Sequence, residues 1–338
     1  MPHGRCGPYR STARAGNRHK ALASSRRALN TESTRIAFGE SNQCCVSFSL
    51  SVAFATVAAP EQSHAPGALR LRYGVAAFGD VNPLQSIDTL RALGFDYAEP
   101  ALSKTLALDP AAVAAARAKV TETGVHVETM NWFLPGTDIP LTGPKVDQAK
   151  IRDYVEKSLA LAESFGAKVI VFGSPGARTV PDGFPREKAW DQLKDFLKTC
   201  GDVIQSHGYA MVIGIEALRK PETNIINSVA EALKLAREVN HPKIRIIVDF
   251  YHLAFEHEDP AVILDAGDMI VHLQIADPRE RTFPISDAGE PRYAAFFTNL
   301  RKIGYQGRIS IEANSDDVEK DGRASLAFLK QMADKYGR

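Results

Sequence analysis

The feature that most constrains this chain is a pattern repeated in its second half: a short apolar run that carries an oxygen-bearing side chain at its end. MVIGIE closes on Glu216, IRIIVD on Asp249 and RISIE on Glu312, while IVHLQIAD carries His272, Gln274 and Asp277. Runs this rich in Val and Ile read as strands buried on both faces. A carboxylate at the end of such a strand is costly unless something compensates it. Four such ends, separated by segments of helical periodicity, point to a shared partner.

The same alternation runs through most of the chain. Strands are expected over 71–76, 97–99, 126–130, 168–172, 211–216, 244–249, 270–275 and 308–312. Helices are expected over 83–93, 110–123, 145–165, 186–207, 225–239, 261–265, 292–303 and 317–336. Gly94, Gly124, Gly166, Gly208 and Gly304 each follow a helix and precede a strand, as C-terminal caps do. Eight strand–helix units in residues 69–338 match an α/β fold of the (β/α)8 TIM-barrel type. A doubly wound open sheet is the alternative, but it gives no reason for eight units.

Side chains alternate along a strand, so Gly214 shares a face with Glu216, Ile247 with Asp249, His272 with Gln274 and Ser310 with Glu312. In a barrel these faces point inward at the C-terminal ends of consecutive strands, where barrel chemistry sits. Glu216, Asp249, Gln274 and Glu312 then converge, and their repulsion forces protonation unless a divalent cation neutralises it. All-oxygen ligation favours Mg²⁺ or Mn²⁺ over zinc. Any one of the four, taken singly, is equally well read as a helix cap or an arginine partner. His272 lies two residues deeper and reads as a core histidine or as support behind the ligands.

Residues 1–68 form an N-terminal extension of a different kind. Arg5, Arg10, Arg14, Arg18, Lys20, Arg26 and Arg27 precede the first acidic residue, Glu32, and the 16-residue apolar run 44–59 is short of a membrane span. Two readings stand: an export signal over residues 1–59, which implies a periplasmic protein, or an over-long predicted start, which leaves a cytoplasmic one. Neither makes the extension part of the barrel, and no stable membrane span is expected. The net charge of +1 over 338 residues argues against nucleic acid as a partner. No metal-binding Cys/His spacing appears, and Cys200 reads as a core thiol.

VFGSP (171–175), IEALRKPETNIINS (215–228), VDFYH (248–252), HLQIAD (272–277) and GYQGRISIE (304–312) together resemble the sugar phosphate isomerase/epimerase superfamily. These are xylose isomerase-like TIM barrels that include ketose 3-epimerases and hydroxypyruvate isomerase. The resemblance covers the barrel, chiefly its second half. It implies a metal held by Glu216, Asp249, Gln274 and Glu312, with Glu216 and Glu312 also exchanging a proton next to a substrate carbonyl through an enediolate. In ketose 3-epimerases a histidine occupies the place of Gln274, whereas the hydroxypyruvate isomerase branch has glutamine there. Glu222 resembles the substrate-contacting glutamate of the epimerase branch, so the chain mixes features of both.

The expected activity is therefore a metal-dependent isomerase or epimerase acting on a ketose, a keto-acid sugar or a sugar phosphate, with a homo-oligomer as one outcome. An inosose dehydratase-like lyase on the same site is the alternative. His252, expected in the loop after the sixth strand, is assigned to a substrate oxygen. Arg281 is favoured over Arg279 as a substrate contact, Trp132 and Phe133 are candidates for an apolar wall, and Glu99 is a further candidate for the pocket. GSPGAR (173–178) is a weak phosphate-loop candidate, lacking the Lys-Ser/Thr pair. A nuclease-like hydrolase needs more histidines than the barrel supplies, since His3, His19 and His64 lie in the extension.

Overall fold

A computed structural model describes residues 67–338. Residues 1–66 of the N-terminal extension, with the apolar run and the export-signal reading placed on it, lie outside the described residues. Among the described residues no helix is long and apolar enough to cross a membrane.

The strands are β1 (Arg72–Ala76), β2 (Tyr97–Glu99), β3 (His126–Val127), β4 (Thr129–Met130), β5 (Val169–Phe172), β6 (Val212–Ile215), β7 (Ile244–Asp249), β8 (Ile270–Ile275) and β9 (Arg308–Ile311). All pair in parallel, in the order β3-β2-β1-β9-β8-β7-β6-β5-β4. The single strand expected over 126–130 is split at Glu128, so β3 pairs with β2 and β4 with β5. Continuity through Glu128 closes the ring as a (β/α)8 barrel. The break has a local cause: the Glu128 carbonyl accepts from both Lys168 N (2.7 Å) and Val169 N (3.2 Å). Its buried carboxylate is held by the guanidinium groups of Arg72 and Arg308, neighbours at the starts of β1 and β9.

Helices cover the outside, among them Gln148–Phe165, Arg186–Ser206, Val229–Val239 and Val318–Tyr336. Two begin four residues later than their apolar periodicity suggests. The first starts at Ile87 because Asn82 organises a turn, its side chain accepting from Leu84 N and its carbonyl from Gln85 N and Ser86 N. The other starts at Val229, where Ser228 Oγ caps Glu231 N at 3.1 Å and Asn227 Nδ2 ties the preceding loop to the carbonyls of Leu218 and Thr223. Local polar side chains override helical periodicity in both places. At the other end of the helix Gln148–Phe165, Gly166 stops the winding with φ 84°, a left-handed conformation open to glycine at no steric cost.

The main core lies between sheet and helices. Inside the barrel a smaller group, Val169, Val171 and Ile247 with Val212 and Val271, fills the space below the strand ends. Gly214 belongs to this layer: a Cβ there would lie 2.4 Å from Ile247 Cγ2. Between Ile246 and Ile247 the register of β7 on β8 shifts, from Ile246 opposite Ile270 to Ile247 opposite His272. One residue of slip exchanges the faces of a strand. It is this bulge that sets Asp249 beside Gln274 instead of beside Leu273. Gly214→Ala should therefore destabilise the protein by about 1–3 kcal/mol, read as a lower melting temperature, and an unchanged melting temperature would show that the barrel interior is looser than described.

Candidate active site

Glu216 stands one residue past β6, with its N–H on the Phe172 carbonyl at 3.1 Å, and Glu312 one residue past β9, with its N–H on the Ile275 carbonyl at 3.1 Å. Asp249 ends β7 and pairs across the sheet with Gln274 of β8. Neighbouring backbones thus set each side chain at the same height. Ligand atoms of Glu216, Asp249, His252 and Glu312 all lie within 4.8 Å of one another, and every one of the four residues is buried.

His252 is not in a loop, as expected, but in a short helix, Phe250–Phe255, and only 2% of it is exposed. Asp249 caps that helix, its Oδ1 accepting from Tyr251 N at 2.8 Å. Its other oxygen, Oδ2, is left facing the cluster. His252 Nδ1 accepts from Arg219 N at 3.3 Å, so in the neutral ring Nε2 carries the proton. Nε2 lies 3.4 Å from Asp249 Oδ2 and 3.5 Å from Glu216 Oε1.

Four buried polar atoms have no hydrogen-bond partner here: Glu216 Oε1, Asp249 Oδ2, His252 Nε2 and Gln274 Oε1. Buried polar atoms left unpaired are rare, and each asks for an explanation. Glu312 is the opposite case. Its Oε1 accepts from Asn131 Nδ2 (2.8 Å) and Gln274 Nε2 (3.3 Å), and its Oε2 from Arg281 Nη2 (2.7 Å).

Burial, followed by the charges of Glu312 and Asp249, pushes the Glu216 carboxyl well above its usual range. Burial and Glu312 raise Asp249 to about 8, and burial raises Glu312 against the pull of Arg281. Three anions at this distance in a low-dielectric pocket do not coexist without added positive charge. Burial, followed by the charges of Arg281, Arg178 and Arg219, drives His252 well below its ordinary value and keeps the ring neutral. A divalent cation fits the free atoms, because three unpartnered oxygens and a ring of carboxylates form a hard-ion donor set.

Above the cluster opens a cavity of about 440 Å³, lined among others by Phe78, Trp132, Glu216, Glu222, Arg281 and Glu312. Arg281 is 7% exposed, packs its guanidinium 3.9 Å from the Phe78 ring centre and 4.5 Å from that of Tyr251, and donates to Glu222 at 3.0 Å. Arg279 is instead a surface residue paired with Asp277 at 2.9 Å. Trp132 is 42% exposed on the wall, while Phe133 turns the other way and packs on Phe196 in the core, so it is no part of the wall. Among the described residues six non-glycines have positive φ, and three of them, Trp132, Ser174 and Arg281, line this cavity. Strain of this kind marks loops held in place for function.

Three further residues surround the cluster: Glu99, a pocket candidate in the sequence, Arg178, at the end of the GSPGAR motif, and Asn131, which carries no signal in the sequence. Glu99 does not reach the cavity. It lies fully buried at the end of β2, where burial raises its pKa and the His272 charge, together with hydrogen bonds from His272, Ser310 and Thr129, carries it below the usual value. Asn131, just past β4, donates to both the Ala77 carbonyl and Glu312, each at 2.8 Å. In the GSPGAR segment Gly173, Ser174, Pro175 and Gly176 line the cavity, but Pro175–Arg178 is a short helix and the Arg178 side chain is wholly buried. It donates to the carbonyls of Glu216 (2.7 Å), Phe172 and Ile226 (3.3 Å each). Burial lowers its pKa to about 10, which leaves it charged beneath Glu216 at neutral pH. The first glycine of that motif leaves room for Glu216, since a Cβ on Gly173 would lie 2.2 Å from Glu216 Oε2.

A (β/α)8 barrel with acidic groups gathered at the C-terminal ends of β6, β7 and β9, and an amide at that of β8, defines the class of protein. The profile of the xylose isomerase-like TIM barrel family matches residues 87–332, and the chain belongs to that family. It is 29% identical to 3-dehydro-D-guloside 4-epimerase of Escherichia coli, over 75% of this chain and 96% of that one. It is also 27% identical to an L-ribulose 3-epimerase of Methylomonas sp., over 67% and 76% of the two chains. Among solved structures, D-allulose 3-epimerase from Methylomonas sp. in complex with D-allulose shares the fold at a TM-score of 0.68 and 22% identity, over 79% of this chain and all of that one.

The raised carboxyl of Asp249 has a consequence for stability. A carboxyl whose folded pKa is about 8 against 3.8 unfolded contributes stability that is complete below the lower value and lost as pH rises to the upper one. In chelator-treated protein the melting temperature should fall as pH is raised across that window, and saturating divalent cation should flatten the slope. A chelated protein that is steadily more stable toward alkaline pH would contradict the proposed crowding of charge.

Proposed function

We propose that this protein is a divalent-cation-dependent sugar epimerase or isomerase that moves a proton on a carbon next to a ketone. The observation that carries the reading is the pair of carboxylates, Glu216 and Glu312, on the wall of the cavity, with Asp249 and Gln274 buried beside them. The names of the two relatives agree in chemistry: each inverts a carbon adjacent to a ketone carbon.

Mn²⁺ or Mg²⁺ is the cation that the oxygen-rich set of Glu216, Asp249, Gln274 and Glu312 suits. Bound there, it supplies positive charge for the substrate oxygen that becomes negative as the proton leaves. Proton transfer itself belongs to the chain. Glu216, whose Oε1 has no partner, takes the proton as the C–H bond breaks and its electron pair shifts toward the carbonyl. Glu312, fixed by Asn131, Gln274 and Arg281, returns a proton from the other side. Return to the same carbon gives an epimer; return to the carbonyl carbon gives an isomer. Burial raises the pKa of both carboxyls, which makes each a stronger base when ionised and favours the protonated form that returns a proton.

The surrounding groups suit a polyhydroxylated ligand. Neutral His252 offers Nε2–H rather than a lone pair, so it is assigned to a substrate oxygen and not to the cation. Glu222 and Arg281 form a paired donor and acceptor on one wall, and the Trp132 face covers the apolar side of a sugar ring.

The test is proton exchange in D₂O with Mn²⁺ or Mg²⁺ against a panel of ketoses and keto-glycosides. Deuterium should enter next to the ketone without loss of water, and either Glu216→Gln or Glu312→Gln should slow this about 10²–10⁴-fold. Exchange by Glu312→Gln at the wild-type rate would overturn the two-carboxylate assignment, and deuterium entry coupled to water loss would make the protein a lyase.

A further inference from the structure

Beneath the carboxylate cluster, Glu99 is held from several sides. Its Oε2 accepts from Thr129 Oγ1 and His272 Nε2, each at 2.8 Å, and from Ser310 Oγ. Its Oε1 accepts one bond, from Gln274 Nε2 at 2.8 Å. That last contact matters because a carboxamide has two ends of similar shape and opposite chemistry. Only the oxygen end can hold a hard cation.

The nitrogen of Gln274 sits between two carboxylate oxygens, Glu99 Oε1 and Glu312 Oε1, the second at 3.3 Å. Neither tolerates an amide oxygen in its place. Glu312 is the weaker anchor, since its contact is longer and its oxygens already serve Asn131 and Arg281. With the nitrogen pinned, Oε1 of Gln274 is left buried and without a partner, next to Asp249 across the sheet. The three donors on Glu99 Oε2 in turn prevent that carboxylate from rotating upward to bind a cation itself.

We infer that Glu99 is a positioning residue for the cation site: it fixes the Gln274 amide so that oxygen, not nitrogen, is presented to the ion. The inference rests on the cation-dependent reading given above. It accounts for a glutamine on β8 among carboxylates: an amide there adds no fourth negative charge, but it needs a partner that sets its orientation.

The test uses the full chain, stripped of metal and titrated calorimetrically with Mn²⁺, with water-proton relaxation of the loaded protein to count waters on the ion and thermal melting as a folding control. Glu99→Gln should weaken Mn²⁺ binding by about tenfold or more and add a coordinated water where the amide oxygen is lost. Glu99→Asp keeps the charge but falls short of Gln274, so it should do the same, and it decides the matter if Glu99→Gln fails to fold. The double variant Glu99→Gln/Gln274→Glu exchanges donor and acceptor, and a carboxylate needs no orienting; binding should return to within about threefold of wild type. Wild-type affinity and hydration in both single variants would overturn the inference, as would weaker binding without an added water, which is a charge effect alone. If the unaltered protein binds no Mn²⁺, the cation-dependent function itself falls, and this inference falls with it.

Discussion

Mutual repulsion among Glu216, Asp249 and Glu312 governs the arrangement of everything near the mouth of this barrel. Each is buried, and each is raised above its ordinary pKa by burial and by its acidic neighbours. The protein answers with fixed positive groups on two sides. Arg281 closes on Glu312 from the cavity, and Arg178 lies under Glu216, bonded to backbone carbonyls rather than to the carboxylate. Neither is hydrogen-bonded to Asp249 Oδ2 or Glu216 Oε1, which with Gln274 Oε1 are the oxygens left without partners and the atoms that the proposed cation would use.

That charge is held in place by features of the scaffold that look minor in isolation. The bulge in β7 brings Asp249 into line with Gln274, and Gly173 leaves room for the Glu216 carboxylate. Trp132, Ser174 and Arg281 keep left-handed backbone conformations around the cavity. Such conformations cost free energy and persist only where the surrounding structure dictates them. A deeper layer, Glu99 with Thr129, His272 and Ser310, orients the one amide in the set.

Much of this was legible from one sequence. Strand ends rich in Val and Ile followed by a carboxylate announce a parallel sheet with acidic groups at one edge, and period-two alternation is enough to put Gly214 with Glu216 and Ser310 with Glu312. Other parts were hidden for definable reasons. Glu128 reads as an ordinary strand residue, because its break depends on the backbone N–H groups of Lys168 and Val169, and the hold on its carboxylate on Arg72 and Arg308, all distant in sequence. Phe133 and Trp132 are adjacent aromatics, and only the backbone turn at Trp132 sends one to the cavity and the other to the core. In GSPGAR the glycines are visible in the sequence, whereas the burial of Arg178 is not.

The sequence by itself determined the fold class and the identity of the acidic residues at the strand ends, because hydrophobic periodicity and residue chemistry are local properties. Tertiary structure alone decided which atoms of those residues are free. The helix cap that uses one oxygen of Asp249, the backbone N–H that sets the tautomer of His252 and the Glu99 contact that turns the Gln274 amide are all relations between side chains and their surroundings in the folded barrel. A hydrogen bond consumes a particular lone pair, and no spacing in a chain records which one.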